Sequence, residues 1–176
     1  MLTHLRRSLI ASIAFFVVLG LLYPLAMTGI GQAAFSHQAN GSLTRYGSTL
    51  IGQKWTGPMW FQGRPDAYNP MATGGSNLGP RSKVLVADVA KQVAKLKKEG
   101  ITPSSSLVTT SGSGVDPDIS PAAAYAQVNA IAKARSLPVS VVHQLVASHV
   151  TGEQFGFLGS SYVNVLLLNE ALSKLR

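Results

Sequence analysis

The one close pair of carboxylates in the chain is Asp116 and Asp118, flanking Pro117. Hard cations such as potassium, calcium or magnesium take oxygen ligands, and two carboxylates on a proline turn supply some of them. An EF-hand needs more ligands and a Glu at its twelfth position, and none fits here. Asp also serves turns, where its side chain accepts a nearby backbone N–H, and its charge suits a helix N-terminus. The spacing is read as turn chemistry. Asp116 and Asp118 stay candidates for local cation attraction, and no metal site is assigned.

Other reactive constellations are incomplete. Ser111-Gly112-Ser113-Gly114 precedes a helix start, where a phosphate-cradling loop would sit. A P-loop requires G-x-x-x-x-G-K-[ST], and no such string occurs. Gly74-Gly75-Ser76-Asn77-Leu78-Gly79-Pro80 is a second glycine-rich loop before a helix. It could approach a ligand or partner backbone closely, or simply turn. His143 and His149 point to different helix faces, and His149 with Glu153 lacks a third ligand. There is no G-x-S-x-G elbow. Zero Cys excludes a disulfide scaffold, a cysteine-zinc site and a thiol nucleophile. Catalysis by this chain alone is not expected.

The elements that position these loops are legible. Ser82 predicts the N-cap of a helix over 83–99, with Leu85, Val89, Val93 and Leu96 on one face and Gly100 as its stop. Ser120 at N-cap and Pro121 at N1 open another, in which Ala124, Val128, Ile131 and Arg135 share a face. A further helix is expected from Pro138 to His149, and Asn164 caps a last one over 165–175. The run Val165 to Leu168 is so apolar that this helix is either wholly buried or touches another subunit. Leu50-Ile51, Trp60-Phe61 and Leu107 to Thr110 read as short strands.

Residues 8–31 are uncharged and mostly apolar, long enough to cross a bilayer that needs about 20 such residues. A cleaved signal peptide is the rival reading, but its apolar core runs only about 7–15 residues. Arg6, Arg7 and the α-amine precede the span, and the next base is Arg45. The positive-inside rule therefore predicts a cytoplasmic N-terminus at 1–7, a transmembrane helix at 8–31 and an extracytoplasmic domain at 32–176. The expected class is α+β: one N-terminal transmembrane helix followed by a compact mixed α/β extracytoplasmic domain.

Composition agrees with that division. The chain has 176 residues and is 46% hydrophobic and 12% charged, against about 25% charged in average globular proteins. No charged residue lies between Arg7 and Arg45, which argues against a purely cytosolic globule. The net charge of +8 could favour nucleic acid or anionic lipid. The densest cluster, Lys91, Lys95, Lys97 and Lys98, reads as a solvated helix face, and no basic-aromatic motif accompanies it. Nucleic acid is not an expected partner.

Several strings occur in order from Tyr23-Pro24 to the last helix: TGIGQAAF, ANGSL, GSTLIGQ, GRPDAYNP, TGGSNLGP, TTSGSGVDPDISPAAA, ARSLP and VNVLLLNEAL. Together they resemble the C subunit (KdpC) of Kdp-type potassium-transporting P-type ATPases. The resemblance marks as signature-loop residues Gly63, Arg64, Pro65, Gly74, Gly75, Ser76, Asn77, Ser111, Gly112, Ser113, Gly114, Asp116, Pro117, Ser120 and Pro121. The departures are Lys54-Trp55-Thr56-Gly57 and the loop from Gly152 to Ser161.

The resemblance implies a single-pass subunit of a high-affinity potassium uptake complex in the bacterial inner membrane. Its partners would be a channel-like potassium-binding A subunit, an ATP-hydrolysing B subunit, a small F subunit and membrane lipid. The family is described as a catalytic chaperone that raises the ATP affinity of the B subunit, with no catalytic residues of its own. ATP and potassium would be handled by the complex, with no cofactor on this chain. An extracytoplasmic domain cannot touch ATP, so geometry favours a periplasmic cap on the A subunit. The alternative is a stand-alone anchored periplasmic binding module or assembly factor.

Overall fold

The computed structural model describes residues 2–175, and it is a mixed structure of helices and short strands. Met1, whose α-amine entered the charge count, lies outside the described residues. The chain forms two compact units, Met1–Leu43 and Thr44–Arg176.

The first unit is one long apolar helix over Leu2–Ala34, with none of its most apolar stretch buried within the chain. It is built from α1 (Leu2–Phe15), a π-helical stretch (Phe16–Leu22) and α2 (Tyr23–Ala34). Pro24 sits in the first turn of α2. Its nitrogen cannot donate and its ring crowds the carbonyl four residues back, that of Gly20. The helix stays continuous here by widening, and the Tyr23 N–H reaches the Val18 carbonyl five residues back. A single turn, α3 (Ser36–Ala39), follows.

A hairpin of two-residue strands, β1 (Leu43–Thr44), which spans the boundary in sequence, and β2 (Gly47–Ser48), leads into an irregular segment that reaches α4. Helix α4 runs Lys83–Lys98, and the Ser82 hydroxyl accepts the Leu85 N–H. Gly100 closes it in the left-handed region at φ +73°. Helix α5 is one turn, Ser105–Val108, and strand β3 is Asp118–Ile119. Helices α6 (Pro121–Tyr125) and α7 (Val128–Arg135) follow, then α8 (Val139–Ala147). Strands β4 (Val150–Thr151) and β5 (Tyr162–Asn164) precede α9 (Val165–Ser173). The sheet is antiparallel in the order β3-β5-β4, with Ile119 and Val150 both opposite Val163.

Ile119, Ile131, Val142, Val146, Val163, Leu168 and Leu172 form the centre of the core, each at most 2% exposed. Full burial of such a side chain contributes about 1.5–3 kcal/mol. Helix α9 inserts almost wholly: Leu166, Leu168 and Leu172 are buried, while Leu167 remains 40% exposed.

Three strand expectations change. Trp60-Phe61 is not a strand, because the Phe61 backbone pairs with a side chain instead. The Asn169 amide accepts the Phe61 N–H and donates to the Phe61 carbonyl, both at 2.9 Å. Leu50-Ile51 is a turn that the Ser48 hydroxyl and carbonyl hold. Leu107 to Thr110 forms no strand: Leu107 and Val108 donate to the Ser104 carbonyl and complete α5. That turn buries Leu107 and brings the Ser106 hydroxyl to 3.3 Å from Ser120.

The helix opened by Ser120 also breaks, at Ala126-Gln127. There the Gln127 amide turns back to the Ala123 carbonyl and across to Gln62. It accepts the Gln62 N–H at 2.8 Å and donates to the Gln62 carbonyl at 3.1 Å. Ala124, Val128 and Ile131 still share the buried face, as their spacing predicts.

Asn169 is fully buried and replaces a missing strand partner. Asn169→Ala is expected to lower the unfolding free energy of the globular unit by about 2–4 kcal/mol, since it strands two buried backbone groups. Leu167→Ala, at an exposed position, is expected to change it by less than about 0.5 kcal/mol. Urea titration of the detergent-solubilised chain, followed through Trp55 and Trp60, separates the two.

Candidate functional site

Three loops that are far apart in the chain meet in one clasp: 63–70, 73–80 and 111–118. Its centre is Asp66, which is only 9% exposed. One carboxylate oxygen accepts the Ser111 N–H at 2.7 Å. The other accepts the Ser111 hydroxyl at 2.6 Å and the Asp116 N–H at 3.1 Å. The Ser111 hydroxyl oxygen in turn accepts the Gly114 N–H at 2.8 Å.

Backbone bonds complete the clasp. Tyr68 N–H donates to Gly114 O at 3.0 Å, and Gly74 N–H donates to Ser113 O at 2.7 Å. Gly52 N–H donates to Val115 O at 2.7 Å, and Val165 N–H donates to Pro117 O at 3.0 Å. Glycine is required at two of these positions. A Cβ on Gly52 would run into the Asp116 carbonyl and lie 2.7 Å from the Tyr68 ring. Gly114 has φ +70°, and a Cβ there would lie 2.8 Å from the Gly74 carbonyl. The two glycine-rich loops therefore meet backbone to backbone.

The remaining signature residues surround this centre. Arg64 Nε lies 3.6 Å from Asp116 Oδ2, an ion pair longer than a hydrogen bond. The Arg64 carbonyl accepts the Tyr68 hydroxyl at 2.6 Å. Gly63 faces that hydroxyl, and Gly75 packs beside Gly112. Pro65 lines a hollow of about 250 Å³ with Ser76, Leu85, Asp88, Val89 and Thr109. The Ser76 hydroxyl accepts the Leu78 N–H, and Asn77 takes φ +53°. The Ser113 hydroxyl accepts the Val115 N–H. Ser120 caps α6 through the Ala123 N–H, with Pro121 in its first turn.

The carboxylate pair performs turn chemistry. Asp116 Oδ1 accepts the Asp118 N–H at 3.0 Å. Asp118 Oδ1 accepts from the Asn164 amide at 3.0 Å, and Asn164 also caps α9. Burial first, and the Asp116 charge second, raise the Asp118 carboxyl above its ordinary value, while the Asn164 bond opposes them. Burial, reinforced by Asp66 and Asp116, pushes the Tyr68 phenol far above its usual range, so Tyr68 is a standing donor.

His149 Nδ1 lies 2.8 Å from the Leu145 carbonyl, and His143 stacks on Tyr125 at 4.7 Å. Among the described residues no group of three His, Asp or Glu is placed to hold a metal ion. The clasp does one thing chemically: it directs carboxylates and hydroxyls at the chain's own backbone and fixes the shape of a loop face.

Asp66 and Tyr68 lie inside the recognised string GRPDAYNP, yet the candidate residues stop at Pro65. Gln127 and Asn169 were missed as well. Each is an amide among apolar core positions, Gln127 between α6 and α7 and Asn169 within α9, and that is a readable signal.

The model of the family described as "KdpC: K+-transporting ATPase, c chain" matches residues 5–174. A relative from Gemmatimonas aurantiaca is 46% identical, over 99% of this chain and 94% of its own. One from Caulobacter vibrioides is 47% identical, over 98% and 93%. One from Sorangium cellulosum is 46% identical over the whole of both chains. Each of these relatives is named a potassium-transporting ATPase KdpC subunit.

Removing the buried carboxylate should open the clasp. Asp66→Ala is expected to cost about 3–5 kcal/mol of unfolding free energy, and Ser111→Ala about 1–2 kcal/mol, both read by urea titration. Asp118 gives a pH test. An acid whose pKa is raised on folding adds stability as pH falls towards the carboxylate range and loses it as pH rises through the folded value. Asp118→Asn keeps the acceptor and removes the charge. It is expected to raise the thermal midpoint at neutral pH and to flatten its rise on acidification.

Proposed function

The chain belongs to the KdpC family, the C chains of potassium-transporting ATPases, and from that premise we propose that it is a non-catalytic accessory subunit seated as a periplasmic cap on the potassium-conducting A subunit. One observation carries the accessory reading. In the signature loops Asp66, Ser111, Ser113 and Asp116 all accept from backbone N–H groups of their own chain. Loops engaged in this way offer a rigid, shaped face to a partner rather than a reactive group.

The helix Leu2–Ala34 is the proposed anchor in the inner membrane, since its apolar surface is not buried by the chain itself. Arg6 and Arg7 lie in its first turns, ahead of the uncharged run 8–31, and the next base is Arg45, which favours a cytoplasmic N-terminus and a globular unit in the periplasm. ATP is then out of reach. The rise in ATP affinity ascribed to the family becomes a linkage effect. If the cap binds one state of the transporter more tightly, and the B subunit binds ATP more tightly in that state, each binding strengthens the other. ATP and potassium are handled by the complex, potassium by the channel-like A subunit and ATP by the B subunit, with a small F subunit as a further partner. Asp116 adds little attraction for potassium, because Arg64 faces it and the chain carries +8.

The chain has no cysteine, so Ser140→Cys, at an exposed position on α8, makes a single reporter. A membrane-impermeant thiol reagent is expected to label it once the outer membrane is permeabilised. Labelling only after the inner membrane is broken would place the unit on the ATP side and overturn the cap. Co-extraction with the ATPase in mild detergent is expected as well. Its absence would leave the stand-alone anchored module.

A further inference from the structure

The loop between β4 and β5 is not explained by the fold. Residues 151–160 are all exposed. The loop is nevertheless closed: Gln154 N–H donates to Leu158 O and Leu158 N–H donates back to Gln154 O, both at 2.9 Å. At its tip Phe155 is 87% exposed and Phe157 is 73% exposed, with Leu158 beside them at 47%. Phe155 holds φ +54°, a left-handed conformation that a bulky side chain adopts only under constraint. The apolar surface continues down the stem. Tyr162, paired with Thr151, is 39% exposed. Leu167 is 40% exposed and lines a hollow of about 220 Å³ with Ser148, His149, Val150, Thr151 and Asn164.

We propose that this Phe155-Gly156-Phe157 finger is a docking element that inserts into an apolar pocket on another subunit of the assembled ATPase. The proposal rests on the reading of the chain as a subunit of that complex. Charge selects the kind of partner. Loops that enter anionic membrane surfaces are flanked by Lys or Arg. Residues 150–162 contain neither, and their one charged side chain, Glu153, would be repelled by anionic headgroups, although the chain as a whole carries +8. A second copy of the chain fits poorly. A finger in a pocket is a heterologous contact, which in general repeats as an open filament rather than closing. An apolar protein pocket with a neutral or basic rim satisfies both the rings and Glu153. A short loop closed by its own bonds also loses little freedom on docking.

The test replaces Phe157 with the photo-crosslinker p-benzoylphenylalanine in the full chain, expressed with its ATPase, and identifies the adduct by mass spectrometry. The expected adduct joins Phe157 to another subunit of the ATPase. In parallel, the double variant Phe155→Ser, Phe157→Ser is expected to lower the ATPase co-purified per chain about tenfold, as befits aromatic anchors. Its thermal midpoint should stay unchanged, because both side chains are mostly exposed and neither belongs to the core. Adducts only with lipid, or only with a second copy, overturn the proposal. So does undiminished co-purification of the double variant. If the unaltered chain itself fails to co-purify, the subunit reading falls too. If it co-purifies and the double variant does so equally, only the finger falls.

Discussion

The buried carboxylate of Asp66 is the constraint on which the loop face depends. A charge taken out of water must be met by donors, or its burial costs several kcal/mol. Here the donors are Ser111 and Asp116, 45 and 50 positions further along the chain. Charge-assisted bonds are strong enough to offset the entropy of closing such a loop, which grows only slowly with length. With these contacts in place, the backbone pairs Tyr68–Gly114, Gly74–Ser113 and Gly52–Val115 fall into register. The glycines make that register possible because no Cβ stands between the strands of loop.

The same logic recurs with neutral groups. The segment around Trp60 to Gln62 lies against the helices without a strand neighbour, so its backbone polar groups would be orphaned. Asn169 serves Phe61 and Gln127 serves Gln62, each as both donor and acceptor. An amide side chain mimics one peptide unit of a missing strand. Trp55 and Trp60, with ring centroids 5.0 Å apart, and Arg135 over Trp60 at 5.4 Å, cover this segment. Irregular backbone held in this way is rigid. Rigidity is what a subunit needs if it is to favour one conformation of a transporter without doing chemistry.

The division of the chain into two units separates two kinds of apolar surface. In Leu2–Ala34 the long uncharged stretch is apolar and none of it is buried by the chain, and by length and composition it could cross a bilayer. In Thr44–Arg176 the hydrophobic side chains are gathered into one core, and the largest aromatic exposure is the Phe155–Phe157 tip. A water-facing unit that buries Phe61 completely yet holds two other phenyl rings out does so at a place where something else is to be met.

Much of the second unit was legible because its signals are local. Ser82, Ser120 and Asn164 cap helices through N–H groups three residues on, and Gly100 stops α4 in the left-handed region. Each motif acts within one turn, so composition and spacing carry it. The uncharged run before Arg45 and the α+β character were readable for the same reason, and the strings shared with KdpC chains led to the family. Tertiary structure decided the rest. Leu107 to Thr110 carries strand-forming residues, yet Leu107 had to reach the core and Ser106 had to reach Ser120, so a helical turn prevailed. The Gln127 amide broke a helix that its neighbours would have continued. Asp66 looked like an ordinary turn residue and became the centre of the clasp. These outcomes depend on partners up to 65 positions apart. Contacts at that separation follow no period and leave no cap in the sequence, and only the folded chain brings them into existence.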